Sequence, residues 1–253
     1  MSELVTIRDA GAVRWLTLNR PDARNALSAE LVGALKMALS QPTDARCIAI
    51  TGAGSAFSAG ADLKALEAMQ SATFEENLAD SQLLATLFLA IAEHPLPIVA
   101  AVNGHAIAGG AGLALACDAT FVARDAKFGF TEVRVGFVPA IILNFPLRNA
   151  GEKLLRELCL TGRLLSEDET KLLVTEVVDA EDLDARVAAF ASELDHASPH
   201  AVAHTKKIFL DLRPLVEGLG FAAEINAQAR GTDECREGIA AFLQKRKPSW
   251  RKS

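Results

Sequence analysis

The spacing of hydrophobic and polar positions predicts a mixed chain that becomes helical toward its C-terminal part. Leu4 to Ile7 and Val13 to Leu18 alternate as strands do, with a turn at Asp9-Ala10-Gly11. A polar loop from Asn19 to Asn25 follows. Ser28 is placed to cap a helix running to about Leu39, with Glu30 at its positive end. Cys47 to Thr51 is a short apolar run, read as a buried strand, which enters the small-residue loop Gly52 to Asp62. Phe74 to Glu93 has the spacing of a long amphipathic helix, stopped by Pro95 and Pro97. The β-branched run Ile98 to Val102 predicts a second buried strand. A turn at Asn103-Gly104 comes next, then glycines at 109, 110 and 112 ahead of an apolar helix. Thr120 to Ala123 and Lys127 to Phe130 predict two more short strands.

From Gly151 onward the spacing is almost wholly helical: Glu152 to Leu160, Glu167 to Leu173, Asp182 to Leu194, Pro199 to Leu212 and Leu215 to Ala229. Ser198-Pro199 reads as a cap with proline at the first helical position, and Asp233 as the cap of a last helix to about Arg246. Strand, glycine loop and helix recur twice in order, which predicts an α/β fold with ligand loops at the carboxyl ends of strands. The change in pattern near 190–200 suggests a core over 1–195 and a helical region over 196–253.

Composition narrows the class. The chain has 253 residues, half of them hydrophobic and 23% charged, with a formal net charge of −6. That fits a globular protein with a sizeable core, and it argues against long-range attraction to nucleic acid or to an anionic membrane. Cys47, Cys117, Cys159 and Cys235 are far apart and form no CxxC pair, so free thiols in a reducing compartment are expected. No basic leader with an apolar run opens the sequence, which predicts a cytoplasmic protein or a processed form. None of His94, His105, His196, His200 and His204 stands in HExxH spacing, so no metal site is predicted, and His105 is read as a loop residue.

The two glycine loops carry the candidate chemistry. Glycine costs about 0.5–1 kcal/mol relative to alanine inside a helix, so glycines at 109, 110 and 112 imply a close approach to the backbone. Either an anion held on unpaired N–H groups or tight helix packing would explain them. GAGSAFSAG has no lysine-Ser/Thr pair after its second glycine, and AGGAG lacks GxGxxG spacing, so nucleotide-phosphate loops are disfavoured.

Phe57-Ser58-Ala59-Gly60-Ala61-Asp62-Leu63, Ala101-Val102-Asn103-Gly104 with Ala108-Gly109-Gly110, Cys117-Asp118 and Phe128-Gly129-Phe130-Thr131-Glu132-Val133 together resemble the crotonase (enoyl-CoA hydratase/isomerase) superfamily. The resemblance continues through Thr161-Gly162-Arg163 and Glu237 to Arg246 and covers essentially the whole chain. It implies a spiral of ββα units with a C-terminal helical trimerisation region, assembled as a homotrimer or a hexameric dimer of trimers. It implies an acyl-CoA thioester substrate, with coenzyme A as part of the substrate and no further cofactor. By position, the backbone N–H groups of Ala61 and Gly109 would hold the thioester oxygen, and Glu132 would be the general acid/base.

Ala59, Gly110, Gly112, Pro139 and Asn144 would line the substrate site. Arg24, Lys64, Phe242 and Lys245 would meet the CoA moiety. Asp62 and Asp118 are read as structural, capping or hydrogen bonding to nearby backbone.

Two departures stand out. Hydratases of the superfamily usually carry a glutamate where this chain has Gly112, so only Glu132 remains. Val135 to Asn144 also replaces a glycine-rich IPGxGGTQ segment, in a way that looks more like the methylglutaconyl-CoA hydratase branch, with branched or carboxylated substrates from leucine or isoprenoid breakdown. The leading reading is an enoyl-CoA hydratase; the alternative is a Δ3,Δ2-enoyl-CoA isomerase or other thioester-enolate chemistry. A non-catalytic acyl-CoA or RNA-binding protein is the reading of a different class; the acidic balance opposes RNA and Glu132 opposes silence.

Overall fold

The structure is a computed structural model that describes residues 3–69, 71–145, 151–211 and 215–250. Its frame is a six-stranded sheet in the order β1 (Val5–Ala10), β2 (Val13–Leu18), β3 (Cys47–Gly52), β5 (Ile98–Val102), β7 (Ala119–Ala123), β9 (Glu176–Val178). A second sheet of three strands has the order β4 (Ala56–Ser58), β6 (His105–Ile107), β8 (Phe128–Gly129). Among the described strands, the β1–β2 hairpin is antiparallel and the other strand pairings in both sheets are parallel. Strands therefore alternate between the sheets: β3 feeds β4, β5 feeds β6, β7 feeds β8. This is the spiral of ββα units that the resemblance implied.

Parallel strands are buried on both faces, and β5 is buried at all five positions. Ile48, Ile50, Ile98, Ala100 and Val102 face one way, into a core shared with α1 (Ala29–Leu39), α3 (Phe74–Glu93) and α4 (Gly109–Ala116). Cys47, Ala49, Val99, Ala101 and Phe121 face the other way, against Leu183, Val187 and Ala191 of α7 (Leu183–Glu193). All four cysteines are free.

Most predicted elements are present, with instructive shifts. β4 and β6 lie in stretches read as loops; at three residues each they are too short for a visible alternation. The short helix α2 (Leu63–Ala68) was not anticipated; Asp62 caps it, its Oδ1 accepting from Lys64 N at 3.1 Å and Ala65 N at 3.3 Å. β9 interrupts the region read as wholly helical, between α5 (Glu152–Thr161) with α6 (Glu167–Lys171) and α7. Leu212, the expected end of α8 (Pro199–Asp211), lies outside the described residues.

The last two helices are α9 (Leu215–Arg230) and α10 (Asp233–Leu243). The cap of α10 is Thr232 rather than Asp233, because the hydroxyl accepts from Cys235 N at 3.2 Å. Part of the helical end packs into the main core. Leu219 and Ala222 of α9 join the main core, and α9 packs along α3.

One polar strap fastens α8 to the sheet. Lys206 Nζ donates to Asp118 Oδ2 at 2.6 Å, Ile91 O at 2.9 Å and Leu96 O at 3.2 Å. Asp118 Oδ2 also accepts from Ile98 N at 2.7 Å, so it closes the start of β5 as well. The lysine side chain is 9% exposed, so removing it strands a carboxylate that is still two-thirds covered. Lys206→Met should therefore lower stability by about 2–3 kcal/mol, and by clearly less in an Asp118→Asn background. A denaturant double-mutant cycle measures this; purely additive losses would disprove the coupling.

Candidate active site

The three strands of the small sheet each end just before a group with possible chemistry. Ala61 follows the end of β4 at Ser58, Gly109 follows the end of β6 at Ile107, and Glu132 follows the end of β8 at Gly129. Because the strands are parallel and adjacent, all three groups leave the same edge of the sheet, the carboxyl edge at which α/β proteins bind ligands.

The two loops touch. A Cβ on Gly109 would sit 3.6 Å from Gly60 Cα and 3.8 Å from Ala61 N, so the two N–H groups are close neighbours. Gly60 has a φ of +83°, and a Cβ there would come within 2.7 Å of Ile107 O and 2.9 Å of Gly109 N. Only glycine lets these loops meet. Gly109 opens α4, so its N–H has no carbonyl one turn back, and neither N–H donates to a backbone carbonyl in the surrounding turns.

The residue before it is strained: Ala108 has φ 52° and ψ −124°, a conformation that costs of order 1–3 kcal/mol for a non-glycine residue. It is held there from both sides. Ala108 N donates to Gly129 O at 2.7 Å, and Ala108 O accepts from Gly112 N at 3.1 Å. Leu27 N donates to Gly60 O at 2.7 Å, and Arg20 pairs with Asp62 at 2.9 Å, fixing the Ala61 loop in turn.

Glu132 begins a short 3-10 turn, Glu132–Val135, and is 6% exposed. Its Oε2 is buried and has no hydrogen-bond partner. Burial pushes its carboxyl up to about 7, against the smaller lowering effect of its own backbone N–H. Burial first, and then the charge of Glu132, push the neighbouring Cys159 thiol up to about 12, so that thiol is inert as a nucleophile.

α10 seats this turn. A Cβ on Gly238 would overlap the Val135 carbonyl and lie 2.8 Å from Val135 Cα, and one on Gly136 would lie 2.5 Å from Glu234 O. Leu66, Phe137, Cys235 and Ile239 then form a cluster that also contacts Ala61 and Val135. Sequence reading gave α10 a role in CoA binding and assembly and missed this seating. The glycines at 136 and 238 were its traces in the sequence.

The other expected site residues fall into two groups. Ala59 N donates to Arg24 O at 2.9 Å, which ties the Arg24 loop to the Ala61 loop and leaves the Arg24 side chain exposed. Lys64, on α2, and Phe242 and Lys245, at the end of α10, are also exposed. Gly110, Gly112, Pro139 and Asn144 lie inward. Gly110 packs against the Ser58 carbonyl, and Gly112 is covered by Ile142. Pro139 O accepts from Leu143 N at 3.2 Å. Asn144 Nδ2 turns back to Ala140 O at 3.3 Å and Ile141 O at 3.0 Å.

Asp118 and His105 act on backbone, as expected; His105 Nδ1 accepts from Lys127 N at 3.1 Å. Among the described residues there is no group of three or more His, Cys, Asp or Glu suited to a metal. No described helix is long and apolar enough to cross a membrane. A cavity of about 610 Å3 lies under α8, where the charged groups Lys206 and Asp118 are already paired with each other.

The raised carboxyl pKa has a stability consequence. Its folded value, about 7, lies above the ordinary 4.5, so the fold favours the neutral acid. The penalty is absent well below pH 4.5, grows between about pH 4.5 and about 7, and stays constant above that. Glu132→Gln should therefore gain on the wild type by about 3 kcal/mol between about pH 4 and about pH 9. Parallel stability curves across that range would refute it.

The chain matches the family model described as enoyl-CoA hydratase/isomerase over residues 8–253. A Thermus thermophilus relative with a provisional enoyl-CoA hydratase name is 41% identical over 247 residues, 95% of this chain and 98% of its own. The Escherichia coli 2,3-dehydroadipyl-CoA hydratase is 32% identical over 267 residues, 99% of each. The crystal structure of an enoyl-CoA hydratase from Mycobacterium avium superimposes with a TM-score of 0.85 at 32% identity, covering 99% of this chain and 100% of that one. The chain belongs to the enoyl-CoA hydratase/isomerase family of the crotonase superfamily.

Proposed function

We propose that the protein is an enoyl-CoA hydratase that works with one carboxylate. The observation that carries this is Glu132: buried, unpartnered at Oε2, poised near neutral pH, and leaving the same sheet edge as two free N–H groups. The N–H groups of Ala61 and Gly109 receive the thioester oxygen. Ionised Glu132 takes a proton from water, the resulting hydroxide bonds to Cβ, and the π electrons move onto the thioester oxygen as an enolate. Glu132 then returns its proton to Cα, completing net addition of water. Each donor to the enolate oxygen is worth about 2.7–4 kcal/mol of barrier. This chemistry needs no cofactor beyond the CoA of the substrate.

The single carboxylate also favours a second reading. Glu132 can remove a proton at Cα of a β,γ-enoyl ester and return it at Cγ, which moves the double bond with no change in mass. For the hydratase reading, branched or carboxylated acyl groups are our preferred substrates; the dehydroadipyl-CoA hydratase among the relatives supports the carboxylated class. The exposed cations Arg24, Lys64 and Lys245 are our candidates for the CoA phosphates, and exposed Phe242 for a further contact to the CoA moiety. Exposed Leu160, Ile208, Phe209 and Phe221 support a trimer or a dimer of trimers, with the helices of 196–253 as its main contacts.

Mass detection of products from crotonyl-, 3-methylglutaconyl- and 3-hexenoyl-CoA separates the readings: hydration adds one water, isomerisation none. Glu132→Gln should cut kcat by about 10²–10⁴ while ester binding persists. Turnover near the wild-type rate in that variant would sink the proposal. The wild-type kcat/KM should rise with pH through one ionisation near 7, since the base must be ionised; a profile flat from about pH 5 to about pH 9 would contradict it.

A further inference from the structure

Gly112 and Ile142 are one structural unit, although they lie on different elements. Position 112 stands one turn along α4 from Gly109, at i+3, so a side chain there would project from the helix face that carries the Gly109 N–H. That volume is taken. A Cβ built on Gly112 would overlap Ile142 Cγ2 and lie 2.5 Å from Ile142 Cβ. Ile142 opens the 3-10 turn Ile142–Asn144, is 3% exposed and belongs to the main core. The turn is held on its far side too, since a Cβ on Gly218 of α9 would overlap Asn144 Oδ1. The turn that carries Ile142 is thus docked between α4 and α9, with a glycine facing it on each helix. Its isoleucine cannot swing away cheaply, because β-branched side chains are stiff at χ1.

We propose that Ile142 is a specificity-determining residue. Paired with Gly112, it fills with hydrocarbon the one place on the first turn of α4 where a second acid–base group or a bound water would stand beside the thioester. Every proton transfer in the site then passes through Glu132. This rests on the reading of Glu132 as the acid/base, and it turns two separate peculiarities of the chain into one steric exchange. The same volume serves either a side chain at 112 or one at 142, never both.

The steric pairing can be tested without any activity. On helix propensity alone, Gly112→Ala should stabilise α4. Against Ile142 it should instead lower Tm, by about 3–5 °C for overpacking in a chain of this size. In an Ile142→Gly background the same Gly112→Ala change should raise Tm, because the obstructing side chain is gone. This reversal of sign is the expected result. A Tm for Gly112→Ala equal to or above wild type in both backgrounds would overturn the pairing, as would a double variant less stable than Ile142→Gly alone.

The chemical consequence is tested with Gly112→Glu in the Ile142→Gly background. Product mass and the pH profile of kcat/KM should show hydration governed by two ionisations instead of one. A profile that keeps a single ionisation in a folded double variant with the added carboxyl would overturn the specificity role. If no enoyl-CoA ester is turned over by the wild type, the proposed function fails while the melting cycle still judges the pairing.

Discussion

Three parallel strands of two or three residues each set the geometry on which the candidate site depends. A parallel ladder fixes not only the spacing of neighbouring strands but also the edge at which each chain leaves. β4, β6 and β8 all end at one edge, and within three residues each has delivered a backbone N–H or a carboxyl. The large sheet serves to hold this small one: β3, β5 and β7 hand the chain across, and the two faces of the large sheet are buried on separate apolar layers. Functional precision here comes from backbone register more than from long side chains.

Register alone would not bring the loops into contact. Gly60 and Gly110 remove the Cβ atoms that would hold the strands and α4 apart, and Ala108 accepts an unfavourable backbone conformation so that the Gly109 N–H is presented. The cost is met by hydrogen bonds on both sides of the same residue. Glu132 shows the same balance in electrostatic form. Its burial is unfavourable to the charged acid, and that penalty is what places its proton equilibrium near neutrality. The glycine notches at 136 and 238 let α10 press on the turn without pushing the carboxyl out of place.

Much of this was legible in the sequence. Long amphipathic spacing marked α1, α3, α5 and α7 to α10, and β-branched runs marked β3 and β5. The loops that carry Ala61 and Gly109 were visible as glycine clusters, and Glu132 through its Phe-Gly-x-x-Glu setting. β4 and β6 were not legible, because three residues are too few to show a period and their small residues resemble loop. β9 was hidden for the same reason inside a helical region. The use of Gly112 was also out of reach. A glycine reports that something is near, and only the fold shows that the neighbour is Ile142 from a turn thirty positions on.

The seating of Glu132 by α10 also has a temporal meaning. The turn that holds the carboxyl is synthesised well before the helix that braces it, and α9, which docks the Ile142 turn, comes late as well. The contacts that seat the Glu132 turn can therefore form only once α10 has been made.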